Sequence, residues 1–473
     1  MKPAVIIRVI LISFLTIVAA SCATMTRKPG TTPPNFVILF ADDMGYGDLG
    51  CYGHPTIRTP RLDRMADEGI RLTQFYSAAP SCTPSRAALL TGRYQVRSGL
   101  VHVLFPRHDF GLPAGEITIA EALKTKGYAT GAFGKWHLGH LEPFMPTQNG
   151  FDYFYGMPYS NDLNPQLLIR NNEVLERPAE QSTLTKRYTE EAIKFIERSG
   201  DKPFLVYLAY TMPHVPLHTS KDFAGKSSRG LYGDTVEEID WSVGQILDYL
   251  KEQGLEENTL VFFTSDNGPW LDKKLAGGSA GLLRHGKATT WEGGIREPAI
   301  ARWPGRIPAG QVSQEVGITM DLFKTCTELA GVEMPDGHIV DGKVLMPILT
   351  GQGKSPHDML YFFQNRILAA ARQGPWKIHY HVHDKGFKYL DKPSLYNVEL
   401  DPSETIDMAD DYPEIVKAMD EKVQAFKKNL KQGMPDKAPE GMNEEWKKNN
   451  PRTGPPRISK AEQARRKASG NAK

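Results

Sequence analysis

Four short apolar runs in this chain each end in polar residues that could act together. Residues 35–41 (NFVILFA) lead into Asp42 and Asp43, and residues 128–133 into Lys135 and His137 of the string GKWHLG. Residues 204–210 (FLVYLAY) lead into His214 of TMPHVP, and residues 259–264 (TLVFFT) into Asp266 and Asn267 of SDNG. Asp42, Asp43, Asp266 and Asn267 offer only oxygen donors, the set that a hard cation such as calcium takes. One acidic pair after a strand is more often a turn or a helix cap, but two pairs that each close an apolar run favour a metal site. Arg86, Lys135, His137, His214 and Lys287 are cationic or proton-carrying groups that could serve the same place. Either lysine alone would read as a solvated surface residue.

Cys82 stands in SCTPSRAALLTGR, residues 81–93. Pro84 suits the first turn of a helix, Thr83 can cap it and Gly92 can end it. Cys82 then sits at a helix N-terminus, where backbone N–H groups and the dipole favour negative charge. Arg86 lies about one turn further in and can point back at the same place. A buried cysteine beside a capped helix would give the same local pattern, so the cysteine alone does not define a role.

Helix-like segments at residues 60–69, 118–126, 185–198 and 235–253 lie between the apolar runs. Alternating strands and helices imply a large, mostly parallel sheet covered on both faces. Ligand sites in such sheets lie beyond the carboxyl ends of the strands, where the four runs deliver their polar groups. From about residue 356 shorter runs appear, at 359–363, 368–371 and 376–380, then LYNVELDPSE at 395–404. They read as a small antiparallel sheet. A helix from Pro413 follows, with Ile415, Met419, Val423, Phe426 and Leu430 on one stripe. Residues after Gly433 are rich in Lys, Arg, Pro, Asn and Gly without apolar periodicity and read as a disordered basic tail. The expected fold class is α/β, divided into a signal at 1–22, a tether at 23–34, a catalytic domain at 35–355, a C-terminal subdomain at 356–432 and a tail at 433–473.

The N-terminus reads as an export signal. Lys2 and Arg8 precede an apolar run at residues 9–20, too short to span a bilayer comfortably and followed by Ser21-Cys22. The Ala-Ser-Cys ending resembles a bacterial lipobox, in which the cysteine is lipidated and becomes the first residue; the usual leucine three positions earlier is Ala19 here. An ordinary cleaved signal with a chance cysteine is the alternative. The expected location is periplasmic or cell-surface, tethered to a membrane through Cys22. A net charge of +2 over 473 residues gives no ground for a nucleic-acid partner. Four cysteines, Cys22, Cys51, Cys82 and Cys326, exclude a disulfide scaffold and have no zinc-site spacing. Whether Cys51 and Cys326 pair is left open.

Cys82-Thr83-Pro84-Ser85-Arg86 followed by Leu90-Thr91-Gly92-Arg93 is similar to the signature of type I, formylglycine-dependent sulfatases. FADDMGYGDLGCYG at residues 40–53, GKWHLG at 134–139, SDNG at 265–268 and LLRHGKATTWEGGIREP at 282–298 resemble further blocks of that family, in the expected order over nearly the whole mature chain. The look is nearest the arylsulfatase A and N-acetylgalactosamine-6-sulfatase branch. The resemblance implies an alkaline-phosphatase-like fold and oxidation of Cys82 to formylglycine by a separate maturation enzyme. It implies a calcium ion held by Asp42, Asp43, Asp266, Asn267 and residue 82. Arg86 and Lys135 would hold the aldehyde hydrate, and His137 would be the base that later releases sulfate. His214 and Lys287 would contact the sulfate and protonate the departing alcohol. His379, in WKIHYH, is a further candidate substrate contact.

The chemistry so implied is attack on sulfur by one hydroxyl of the hydrate, in line with the leaving alcohol, then expulsion of sulfate when the second hydroxyl is deprotonated. Fixed positive groups would neutralise the charge that grows on the leaving oxygen. Export favours an extracellular sulfated carbohydrate as substrate. Metal and cationic groups alone do not separate sulfate from phosphate, so a phosphomonoester, phosphodiester or phosphonate hydrolase of the same superfold is the rival enzyme. A non-catalytic lipoprotein that binds sulfated glycans is the rival of another class, but it would be expected to have lost Cys82 or a metal carboxylate. Residues 281–287 (GLLRHGK) spell most of a phosphate-binding loop, yet Ala288 replaces the required Ser or Thr and no apolar strand leads directly into it.

Overall fold

The structure, a computed structural model, describes residues 33–383 and 387–452. The expected signal and most of the tether lie outside the described residues. Every residue of the strand Asn35–Ala41 is buried. Phe36, Ile38 and Phe40 face one apolar cluster with Leu89 and Leu90 of the helix Cys82–Thr91 and Phe323 of the helix Met320–Leu329. Val37, Leu39 and Ala41 face another, with residues of the helices Pro60–Asp67, Leu184–Ser199 and Leu231–Glu252. A continuous apolar run is what a strand covered on both faces requires.

Among the described residues the large sheet has eleven strands. Its centre is parallel, in the order Thr259–Ser265, Asn35–Ala41, Phe204–Ala209, Ala129–Lys135, Tyr153–Met157. The strand Arg296–Arg302 joins antiparallel beside Thr259–Ser265, and Ile70–Tyr76 pairs with it. The carboxyl ends of four central strands deliver Asp42, Lys135, His214 and Asp266 to one edge, as expected. Gly134 lies at φ 97 immediately before Lys135, and a Cβ there would stand 1.8 Å from the Ala209 carbonyl oxygen. Only glycine lets that strand end pack so closely.

A four-stranded antiparallel sheet, Leu360–Gln364, Ile367–Gln373, Trp376–His383 and Phe387–Asn397, forms the smaller unit. The helix Pro413–Asn429 covers it, with Met419 and Val423 buried and the Phe426 and Tyr361 rings stacked at 3.7 Å. Residues 433–452 of the tail expected to be disordered carry defined structure, and the rest of that tail lies outside the described residues. Asp436–Lys437 pairs with Phe110–Gly111, and the helix Met442–Asn449 sets Trp446 against His140 at 4.3 Å. One aromatic anchor on a short polar helix leaves no periodic apolar signal to read. Among the described residues no helix is long and apolar enough to cross a membrane.

Candidate active site

Cys82 is the first residue of the helix Cys82–Thr91, and Gly92 ends that helix in the left-handed region at φ 67. Thr83 does not cap it. Its hydroxyl donates to the His137 carbonyl oxygen at 2.9 Å and accepts the Leu104 backbone N–H at 3.1 Å, which ties the helix to the turn after the Lys135 strand. Ser81 occupies the cap position with extended backbone. Cys82 Sγ is buried, 3.5 Å from Asp42 Oδ1, 4.0 Å from Asp43 Oδ1 and 3.3 Å from Lys287 Nζ. Burial pushes its thiol up, against the pull of Lys135 and Lys287.

Three buried carboxylates converge beside it. Ligand atoms of Asp42, Asp43, Asp266 and Cys82 all lie within 4.8 Å of one another. Arg86 donates twice to Asp266 Oδ2, at 3.0 and 2.8 Å, and once to the Lys135 carbonyl oxygen at 2.9 Å, and lies 3.4 Å from Asp42. Lys135 Nζ meets Asp42 Oδ2 at 2.6 Å, and Lys287 Nζ meets both oxygens of Asp43 at 2.6 and 2.8 Å. Arg86 is thus seated on the metal-type carboxylates, with no direct contact to residue 82 among the described bonds. Burial raises the Asp266 carboxyl, and Asp42 adds to the rise against the pull of Arg86 and the two lysines.

The donors fit a hard cation. Asn267 Nδ2 donates to Asp43 Oδ1 at 2.8 Å, while Asn267 Oδ1 is buried with no hydrogen-bond partner. A buried amide oxygen without a donor is costly unless something else binds it. Together with three carboxylates it forms an all-oxygen set. Three carboxylates against Arg86, Lys135 and Lys287 balance to zero, so a divalent cation would leave a positive centre suited to an anionic ester.

His137 has φ 64, a backbone region that side chains other than glycine rarely adopt. Its Nε2 meets the Leu104 carbonyl oxygen at 2.9 Å, so Nε2 carries the hydrogen and the buried, unpartnered Nδ1 keeps its lone pair. Burial, followed by the Lys135 charge, holds His137 well below its ordinary value. It is a neutral ring with a free basic nitrogen, as a general base requires. His214 Nδ1 lies between Asn161 Oδ1 at 3.1 Å and the Val215 carbonyl oxygen at 2.6 Å, which places its hydrogen there and leaves Nε2 facing Asp43 at 3.7 Å. Burial and Lys287 lower it, against Asp43.

Sequence reasoning missed three supporting residues. Ser160 lies 3.3 Å from Lys135 Nζ, Asn161 orients His214, and the Trp270 ring lies under Lys287 Nζ at 4.7 Å and beside His214 at 5.6 Å. Their only signal was position: PYSND follows the Tyr153–Met157 strand, and Trp270 follows SDNGP. His379 is not brought to this group. It is fully buried, with Nε2 on Glu404 Oε1 at 2.8 Å and its ring against Trp291 at 4.3 Å. Its inward position on the strand Trp376–His383 serves a polar network with Lys377, Glu292 and Glu404 instead. Cys51 and Cys326 are free thiols and do not pair.

The chain belongs to the sulfatase family. The family model "Sulfatase" matches residues 34–332, and "C-terminal region of aryl-sulfatase" matches residues 355–453. Human N-acetylgalactosamine-6-sulfatase is 44% identical over 374 residues, covering 74% of this chain and 72% of the relative. Human arylsulfatase A is 40% identical over 442 residues, covering 82% and 86%. The crystal structure of PsFucS1 sulfatase from Pseudoalteromonas sp. superposes with a TM-score of 0.77 at 32% identity, covering 85% of this chain and 92% of that one. The protein is therefore a sulfuric ester hydrolase with the alkaline-phosphatase-like architecture anticipated from its motifs.

Proposed function

We propose that this sulfatase hydrolyses sulfate esters of a carbohydrate, with calcium bound by Asp42, Asp43, Asp266 and Asn267 and with formylglycine, made from Cys82 by a maturation enzyme, as nucleophile. The observation that carries this reading is the single buried cluster around residue 82, where Lys287 Nζ stands 3.3 Å from Sγ and Asn267 Oδ1 lacks a protein partner. The ion, when bound, would supply a fixed positive charge beside residue 82. Formylglycine, as its hydrate, would supply two hydroxyls where a thiol or a serine has one group.

The chain's own residues divide the remaining work. Lys135 and Lys287 bracket the position of the transferring sulfate and offset its charge. His214 is held by Asn161 with Nε2 toward the cluster, placed to donate a proton to the departing alcohol once it is itself protonated. His137 Nδ1 is the lone pair that takes a proton when sulfate is released. Arg86 holds Asp266 and Asp42 in place. A carbohydrate substrate is supported by the relative named for N-acetylgalactosamine 6-sulfate. The cationic groups would also accept phosphate; the SCTPSR motif favours sulfate.

The reading also places the enzyme outside the cytoplasm, tethered through lipid on Cys22. Mass analysis of the mature N-terminus tests this: a lipid-modified residue 22 supports the anchor, and a chain beginning elsewhere contradicts it. Matched aryl sulfate and aryl phosphate esters test the chemistry. Sulfate turnover should dominate, and faster phosphate turnover would reject the assignment.

A further inference from the structure

A cavity of about 410 Å³ is lined on two sides by residues that directly follow the hydrogen-bond partners of His137 and His214. One wall starts at Phe105, next to Leu104, whose carbonyl oxygen accepts from His137 Nε2 at 2.9 Å. The second starts at Asp162, next to Asn161, whose side chain holds His214 Nδ1 at 3.1 Å. The third wall is the C-terminal helix Met442–Asn449 and the residues just after it. That helix is fastened to the first wall, since Asn443 Nδ2 donates to the carbonyl oxygens of Arg107 and His108 at 3.1 and 3.2 Å. Asn450 receives Arg177 at 2.6 Å, and Trp446 packs on His140 and Tyr159 at 4.3 and 6.2 Å.

The lining combines three chemistries. Arg107, Lys447 and Arg452 carry positive charge against the single carboxylate of Asp162. Phe105 and Trp446 offer aromatic surface, and the Arg107 guanidinium lies over the Phe105 ring at 4.3 Å. Gln166 offers an amide able to pair with hydroxyls in both directions. Aromatic faces for C–H surface, an amide for hydroxyls and excess cations suit an anionic sugar better than an apolar ligand. Lys447 also meets Glu444 at 2.6 Å, but both side chains are exposed, and water-screened pairs of this kind exchange partners at little cost.

We propose that this cavity is a subsite for the sugar adjoining the sulfated one, and that Arg107 and Lys447 select glycans in which that neighbour is anionic, through a carboxylate or a second sulfate. The proposal rests on the carbohydrate reading above and names the class of glycan. The C-terminal helix is then part of the substrate site rather than a tail.

The test uses full-length, matured, calcium-loaded enzyme and binding calorimetry. The probes are an unsulfated uronate-containing tetrasaccharide, its carboxyl-reduced neutral counterpart, and the reduced tetrasaccharide carrying one sulfate on the residue at its reducing end. Wild type should bind at least one of the two anionic probes about tenfold more tightly than the neutral one. Which of them does so identifies the anion. Arg107→Gln/Lys447→Gln should abolish that preference while keeping the wild-type melting temperature and, within about twofold, its kcat/KM on 4-nitrophenyl sulfate. Equal binding of all three probes by wild type would overturn the proposal, as would a preference that survives in the double variant. Failure of wild type to hydrolyse 4-nitrophenyl sulfate would instead count against the function proposed above, and the binding measurement would still decide the subsite.

Discussion

Glu404 receives the Glu292 backbone N–H on one carboxylate oxygen at 2.6 Å and the His379 ring on the other at 2.8 Å. It does so from φ 49, a strained backbone position, and its carbonyl oxygen accepts from Arg284 at 2.7 Å. Arg284 and Glu292 bracket Lys287, so the smaller subdomain grips the segment that carries this lysine. Glu404→Ala would leave His379 and part of the Lys377 charge buried and unpaired. We expect a loss of about 3 kcal/mol in unfolding free energy, read by denaturant titration, and a fall in kcat/KM larger than that of Glu444→Ala. A stability change under about 0.5 kcal/mol, the range of ordinary surface substitutions, would contradict this role.

Metal removal gives a second prediction. Chelation should abolish activity and lower the melting temperature, and calcium should restore both while zinc should not. At a calcium concentration about a hundredfold above Kd the linkage is worth about 2.7 kcal/mol. Asp43→Ala should lose that calcium-dependent shift. Active protein that contains zinc and no calcium would refute the assignment.

His140 makes stability depend on pH through the C-terminal helix. Burial pushes it down to about 4 from 6.5, with Asn443 opposing the shift. Between those values the unfolded chain binds a proton that the folded chain refuses, so stability rises with pH across this window. The contribution is complete above about 6.5 and lost as pH falls toward 4. The advantage of wild type over His140→Gln in melting temperature should therefore shrink as pH falls from 7 toward 4. Parallel melting profiles across that range would show that His140 does not titrate this way.

Asp42, Lys135, His214 and Asp266 were legible because they stand at the ends of strands buried on both faces, which announce themselves as unbroken apolar runs, whereas Cys82, Arg86 and Lys287 were read from motifs that resemble a known family. Flanking strands were not legible. Arg296–Arg302 buries two arginines and a glutamate, with Arg296 paired to Glu292 and Arg302 to Glu68 and Glu256, so composition hides it. The resemblance offered His379 as a substrate contact, but its short local match carried no sign that Glu404, 25 residues further on, would meet the ring instead. Thr83 looked like a cap because local sequence shows helix starts, whereas its partners, His137 and Leu104, lie 54 and 21 residues away.

The central claim is that residue 82 acts as formylglycine. Peptide mass spectrometry of the Cys82→Ser variant after incubation with an aryl sulfate tests it most directly. A serine hydroxyl between Lys135 and Lys287 can attack sulfur once, but it has no geminal hydroxyl with which to expel the sulfate. The peptide spanning residue 82 should then carry one added sulfate in the serine variant and none in Cys82→Ala, and the active wild-type peptide should carry an aldehyde at that position. Full wild-type activity with residue 82 still a thiol, or steady turnover by the serine variant with no trapped sulfate, would contradict the account.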